Sequence, residues 1–328
     1  MIIVRTPLRI SLVGGGTDIK KYYQKKTGKV ISMAINKYVY VIIKKQSGVI
    51  ENKFKFFWNG LEQANKISQI KNPFLRNALE IYKIDEPIEI VSFSDIPPQT
   101  GLGSSSAFTV GLLKAFDVFK GINRSKYDLA SMASNFEINK LGRNIGKQDH
   151  FASVYGSINK FTFNKNETVN IEPIIYDTHL LKLLESNLYL YNLSIKRDAS
   201  KILKKQLFDK FVSLAHETND KLVGKMEEIL LNKNKWNNLG SVLEEHWDIK
   251  KKQNPLATNK KINQIYKNGI KYGSTGGKLL GAGGGGFLLF FVPKIKQINF
   301  IKKMNFKNLY QFRIDHSGCR ITYYDNTD

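Results

Sequence analysis

Several segments of this 328-residue chain carry residues suited to chemistry on an anion, and the most specific is Asp95–Ala115, DIPPQTGLGSSSAFTVGLLKA. It follows a strand-like run. Pro97, Pro98, Gly101 and Gly103 then force a turn whose backbone amides stay free, and a helix begins straight after it. That order sets unpaired N–H groups and the positive end of a helix dipole at one point, with the hydroxyls of Ser104, Ser105 and Ser106 around them. The turn suits a polyphosphate, which makes Pro98, Gly101, Leu102, Gly103, Ser104, Ser105 and Ser106 candidate nucleotide contacts. Glycines and serines also turn chains and cap helices with no ligand present. Two prolines, two glycines and three serines in this order exceed what a cap requires.

A second segment, Pro7–Asp18 (PLRISLVGGGTD), sets Arg9 on a short strand that runs into three glycines and an acid. The glycines permit close approach of a ligand to the backbone, and the guanidinium of Arg9 matches phosphate oxygens with a charge that does not titrate. The plain alternative is a surface arginine beside a tight turn. The third segment, Gly276–Phe287 (GGKLLGAGGGGF), contains four consecutive glycines, a large entropic cost unless the backbone there meets a ligand or another loop. It is not a Walker A loop. Only three residues separate Gly273 from Gly277, and Leu279 stands where a magnesium-binding Ser or Thr belongs, which excludes a P-loop kinase.

These segments need a frame to hold them. Residues 30–43 and 88–93 are β-branched and strand-like, while Ser106–Phe119 and Lys126–Leu141 show helical spacing of apolar side chains. Beyond a polar, strand-like stretch at 160–178, long helical patterns at Asp198–Asn219 and Asn237–Lys252 lead to the strand-like FLLFFVP and a last αβ stretch. The class is α+β with helices gathered rather than alternating. The length exceeds the ~250–300 residues at which single cores stop growing, so two domains are expected, 1–176 and 177–328.

Composition narrows the function classes. Lys and Arg number 51 against 28 Asp and Glu, a formal charge of +23 that attracts anions but does not choose among nucleic acid, lipid and phosphorylated metabolites. The basic residues are mostly scattered lysines with no long tract and no RNA-binding aromatic signature, so a solvated lysine surface is expected and nucleic acid is not. The apolar stretches Tyr38–Ile43 and Phe287–Val292 are far shorter than the ~20 residues of a membrane-spanning helix. A single cysteine, Cys319, and an N-terminus without a signal-like apolar run point to a cytoplasmic protein that does not act at a membrane.

In this order and at these separations the three segments resemble the GHMP kinases, with the match running from Pro7 to Phe287. The form GGGTD, with GLGSSSAFTVGLL and GGKLLGAGGGGFLLF, is most similar to the branch that phosphorylates the anomeric C1 hydroxyl of a heptose 7-phosphate. The resemblance implies an N-terminal unit like ribosomal protein S5 domain 2, a C-terminal ferredoxin-like unit, and an active site in the cleft between them. It implies ATP as donor, Mg²⁺ as cofactor and a sugar or sugar phosphate as acceptor; a homodimer is left open.

The resemblance also assigns roles. Gly146–Gly156 (GKQDHFASVYG) matches the family's catalytic motif and makes Asp149 the catalytic aspartate, with His150 beside it read as incidental. Glu137 and Ser105 occupy the magnesium positions, Arg9 steadies the transferring group, and Gly283 and Gly284 join the nucleotide contacts. Gly16, Thr17 and Asp18 take the sugar, and Arg197 in SIKRDASKIL, with Lys196 behind it, is the candidate for a substrate phosphate. The helix expected to carry Glu137 opens with a capping box at Ser125 and Asp128, and the spacing puts Glu137 at the edge of its buried face. Whether Asp149 removes the hydroxyl proton or only orients it stays open at this point. So do the rivals: another GHMP small-molecule kinase such as a fucokinase, galactokinase or mevalonate-type enzyme, a dinucleotide-binding oxidoreductase reading GLGSSS as its fingerprint, and a catalytically silent sensor.

Overall fold

The computed structural model describes residues 1–174, 177–195 and 208–325. Its elements run β1 (Ile2–Val13), α1 (Lys20–Tyr23), β2 (Gly28–Lys45), β3 (Phe54–Phe57), β4 (Leu61–Ala64), α2 (Pro73–Tyr82), β5 (Ile88–Ser94), α3 (Ser104–Phe119), α4 (Lys126–Asn135), α5 (Gln148–Tyr155), β6 (Ile158–Phe163) and β7 (Val169–Pro173). They continue with α6 (Thr178–Ser186), β8 (Leu188–Asn192), α7 (Phe208–Leu231), α8 (Leu239–Gln253), α9 (Lys260–Tyr272), β9 (Gly276–Leu279), β10 (Phe287–Phe291), α10 (Gln297–Lys303), β11 (Leu309–Tyr310) and β12 (Arg320–Tyr324).

Eight strands form one sheet with the order β12-β1-β2-β5-β3-β4, from which β6 and β7 branch. The branching follows from the length of β2, whose 18 residues outrun any one partner. Lys45 back to Val39 pairs with β5, while Gly28–Met33 pairs with β6 on the same side. Helices α3 and α5 pack on β1 and β2. From Ser106 to Leu113 α3 is buried without a break, as a helix apolar on all sides must be.

The remaining four strands form an antiparallel sheet, β11-β8-β10-β9. Counted along this half of the chain that order is 4-1-3-2, the arrangement of a ferredoxin-like sheet. Trp247, Tyr266, Phe290 and Phe300 are buried against it. The two sheets share core, since Leu190, Leu289 and Phe291 join the cluster that includes Leu8, Ile10 and Leu102.

Two local expectations change. The helix expected to run from Lys126 to Leu141 is α-helical only to Asn135, then widens into a π turn over Phe136–Lys140; Glu137, expected at the edge of the buried face, is fully buried in line with Ala130, Ala133 and Ser134. The final strand, Arg320–Tyr324, hydrogen-bonds to β1 at the far end of the sequence. We keep the boundary at 176 as a proposal in which the last strand returns to the first unit.

Candidate active site

The turn before α3 is built as its residues require. Gly101 and Gly103 both take positive φ, +90° and +76°, where a side chain would be strained. No side chain caps α3, so the first amides of the helix, at Ser104 to Ser106, lack the intrahelical acceptors that later residues enjoy. Ser104 and Ser105 are partly exposed there, whereas Ser106 is buried and turned into the core. Leu102 is buried as well and serves through its carbonyl, which accepts the Arg9 amide at 3.0 Å. Pro98 is exposed on the approach to the turn.

Arg9 reaches into the same place from β1. Its Nε and Nη2 donate to Oδ1 and Oδ2 of Asp149 at 2.7 and 2.6 Å, and its Nη1 donates to the carbonyl of Gly101 at 2.8 Å. The bidentate fork fixes both groups at once. Gly103 lies against the pair, for a Cβ on it would stand 3.3 Å from both the guanidinium carbon of Arg9 and Oδ2 of Asp149. The serine-lined turn and the carboxylate are therefore neighbours. Asp149 sits in the first turn of α5, where the helix dipole favours its charge.

The glycine loop after β1 closes the other side. Asp18 is buried and accepts from the amide of Gly16 at 2.9 Å, the amide of Gln148 at 3.0 Å and the Gln148 side chain at 3.1 Å. Burial raises its pKa above the ordinary carboxylate value, and the charge of Asp149 adds to the shift. Gly146 must be glycine here, since a Cβ would fall 1.8 Å from the Asp18 carboxylate. Thr17 faces inward, its hydroxyl held between the carbonyls of Gly14 and Lys29 at 2.7 and 3.0 Å. Thr17 thus holds the loop together, and Gly15 and Gly16 are its half-buried residues. Around Gly15 stand two groups that lie within the quoted segments but were given no role by them. Ser11 Oγ and Gln148 Oε1 are buried with no hydrogen-bond partner among the described residues, and a Cβ on Gly15 would meet the Ser11 hydroxyl at 3.2 Å and the Gln148 amide at 3.5 Å.

The fourth component is Glu137. Fully buried, its carboxylate accepts from Thr109 Oγ1 at 2.8 Å, Ser105 Oγ at 3.3 Å, His150 Nε2 at 3.1 Å and Arg143 Nη1. Burial alone would push its pKa up, but the His150 hydrogen bond, with Arg143 and Thr109, outweighs that and holds it down at about 2. A carboxylate in that state accepts only, so Nε2 of His150 carries the proton. His150 is thus not incidental. It is buried beneath Glu137 and helps to keep it charged, a contact that adjacency to Asp149 in sequence could not reveal.

Residues 65–157 match the family described as GHMP kinases N terminal domain. Over 319 residues the chain is 32% identical to the D-glycero-alpha-D-manno-heptose 7-phosphate kinase of Campylobacter jejuni, spanning 92% of this chain and 93% of that one. The chain belongs to the GHMP kinase family. Among solved structures it is similar to a D-glycero-D-manno-heptose 1-phosphate kinase from Bacteroides thetaiotaomicron, with a TM-score of 0.80, 22% identity, and coverage of 99% of this chain and 100% of that one. The galactokinase of Lactococcus lactis complexed with galactose has the same fold, with a TM-score of 0.73, 16% identity and coverage of 98% and 95%.

As a GHMP kinase the protein is an ATP-dependent phosphotransferase with an alcohol acceptor, and the oxidoreductase reading of GLGSSS lapses. Its third glycine segment meets other loops. A Cβ on Gly286 would fall 2.1 Å from the carbonyl of Thr100, so that glycine lets the C-terminal half lie against the serine-lined turn. Gly283 and Gly284 face Ala257, the latter donating its amide to the Ala257 carbonyl at 2.8 Å. Lys278, in the same segment, crosses to β1 and donates to the carbonyls of Ser11 and Leu12 at 3.0 and 2.9 Å. Arg197 and Lys196, the candidates for a substrate phosphate, lie outside the described residues. No helix of the described residues is long and apolar enough to cross a membrane.

Proposed function

We propose that this GHMP kinase transfers the γ-phosphoryl group of ATP to the anomeric C1 hydroxyl of D-glycero-D-manno-heptose 7-phosphate, giving the 1,7-bisphosphate. The observation that supports the reading is the contact of Gly103 with the Arg9–Asp149 pair, which brings the candidate anion-binding turn next to the candidate catalytic carboxylate. The 32% identity to the heptose 7-phosphate kinase supports the choice of sugar. A galactose- or fucose-directed kinase is the second reading, since relatives of 25% identity over most of the chain include a galactokinase and a fucokinase.

Phosphoryl transfer has a loose transition state, so the protein must align the reactants and neutralise spreading charge. The free amides at Ser104 and Ser105 hold the ATP phosphates. Arg9 meets the transferring group on the acceptor side, and Asp149 accepts or orients the hydroxyl proton. An anomeric hydroxyl is more acidic than an ordinary alcohol, which lowers the demand on Asp149 as a base. Ser105 and Glu137 fit a magnesium ion: their oxygens are already bridged by one cationic group, Arg143 Nη1, and two protein ligands suit an ion that keeps waters and phosphate oxygens for the rest. When bound, the ion supplies charge neutralisation at the β- and γ-oxygens.

The acceptor side gives a separable prediction. Ser11 and the Gln148 amide, with Asp18 holding Gln148 in place, offer a sugar two unclaimed hydrogen-bonding atoms. Ser11→Ala should raise KM for the acceptor about tenfold, the worth of one hydrogen bond, and leave KM for ATP unchanged. Steady-state kinetics with each substrate varied in turn checks this; an equal rise in both constants would remove Ser11 from the acceptor pocket.

ADP-release assays against heptose 7-phosphate, fucose, galactose, mannose, mevalonate and homoserine, followed by phosphorus NMR of the product, test the whole reading. Turnover confined to a sugar other than the heptose, or a product phosphate away from C1, refutes it. Donor binding has its own probe: of the three tryptophans, Trp236 and Trp247 are buried, while Trp58 is partly exposed and edge-on to Phe108 of α3 at 4.4 Å. Mg-ATP should change the fluorescence of the native protein and not of Trp58→Phe, and should raise the melting midpoint, whereas NADPH should do neither.

A further inference from the structure

Arg143 belongs to none of the glycine segments, yet it stands at the centre of the cation position. Its Nη1 contacts Ser105 Oγ and Glu137 Oε2 together. The other donors to Glu137 are neutral or deeply placed: Thr109 and His150 are fully buried on α3 and α5. Arg143 is different, with 38% of its side chain exposed while Glu137 has none. It hangs on the segment between the π turn and α5, directly after Gly142, which has positive φ and nothing within 4 Å of the position a Cβ would take. Its guanidinium lies 5.5 Å from the ring of Phe74, a second surface on which a cation can rest.

A guanidinium and a divalent ion cannot share these two oxygens, because like charges a few ångströms apart in a poorly solvated site repel strongly. We propose that Arg143 is the resident cation of the Ser105–Glu137 seat. It keeps the buried carboxylate neutralised before nucleotide arrives, and it has to swing away before a divalent ion can bind. Free metal is thereby held off, and the ion enters with the nucleotide, whose phosphates give the displaced guanidinium a new partner. Arg143 is a positioning residue, since it acts through Glu137 and Ser105 and not on the reacting atoms. The inference rests on the reading of those two residues as the metal pair.

The test uses Mn²⁺ as the probe, with binding followed by loss of the free-ion EPR signal, on the full chain without acceptor. Native protein, Arg143→Gln, Arg143→Ala and Glu137→Ala are compared with and without a non-hydrolysable ATP analogue. Arg143→Gln keeps an N–H donor for the buried carboxylate, so it covers the case in which the alanine variant does not fold. The expected result is that both Arg143 variants bind Mn²⁺ about tenfold or more tightly without nucleotide, a factor that corresponds to about 1.4 kcal/mol, and that the analogue improves metal affinity less in them than in the native protein. Unchanged or weaker nucleotide-free affinity in both variants, with binding still lost in Glu137→Ala, overturns the role of Arg143 and spares the metal pair. Mn²⁺ binding that ignores Glu137→Ala overturns the metal pair itself, and the inference with it.

Discussion

Asp149→Asn should lower kcat by about a thousandfold, within the range for loss of a positioned acid–base group, while the protein remains folded. The fork from Arg9 to Asp149 explains both halves of that expectation. Both carboxylate oxygens are held by Arg9, so an amide in their place keeps one acceptor and turns its NH₂ against a guanidinium N–H. The acceptor hydroxyl loses its partner and Arg9 is no longer aimed. Stability suffers less, because Arg9 still donates to Gly101 and the Asp149 side chain is 22% exposed, where water can reach it. Rapid-quench measurement of the chemical step in native and variant enzyme checks the prediction; a variant with near-native kcat would remove Asp149 from the mechanism.

The second large effect is at Glu137. Glu137→Gln should destabilise the protein at neutral pH by on the order of 3 kcal/mol and reduce turnover at limiting magnesium by about a hundredfold, as loss of a ligand or of its support does. The stability figure follows from a folded pKa of about 2 against an ordinary value of 4.5 at about 1.4 kcal/mol per unit. The sign is that of a depressed acid: the contribution is complete above pH 4.5 and disappears as pH falls towards 2. Denaturant unfolding of native and variant protein should therefore show a gap that is widest near neutrality and narrows in acid. A gap independent of pH would mean that Glu137 contributes through packing alone. His150→Ala should reproduce part of the same pH dependence, since His150 donates to Glu137 from a fully buried position.

Much of the frame was legible because its causes are local. A run of β-branched residues favours a strand at β2, and the PPxxGLGSSS order leaves the turn before α3 few other conformations, as the positive φ angles at Gly101 and Gly103 record. Other features escaped for equally physical reasons. The π turn at Phe136 adds one residue to a helical turn, and no side-chain periodicity announces it. The pairing of Arg320–Tyr324 with β1 depends on an edge left open by the rest of the sheet.

The amino-acid order by itself determined the three glycine segments, the helix that follows the second of them, and the mixed αβ character of the chain, because backbone freedom, proline restriction and apolar spacing act over a few residues at a time. Only the tertiary structure decided which charges meet. Arg9 and Asp149 lie 140 positions apart and Ser105 and Arg143 lie 38, and a charge is paired, buried or left open to a ligand only by what the folded chain sets within a few ångströms of it.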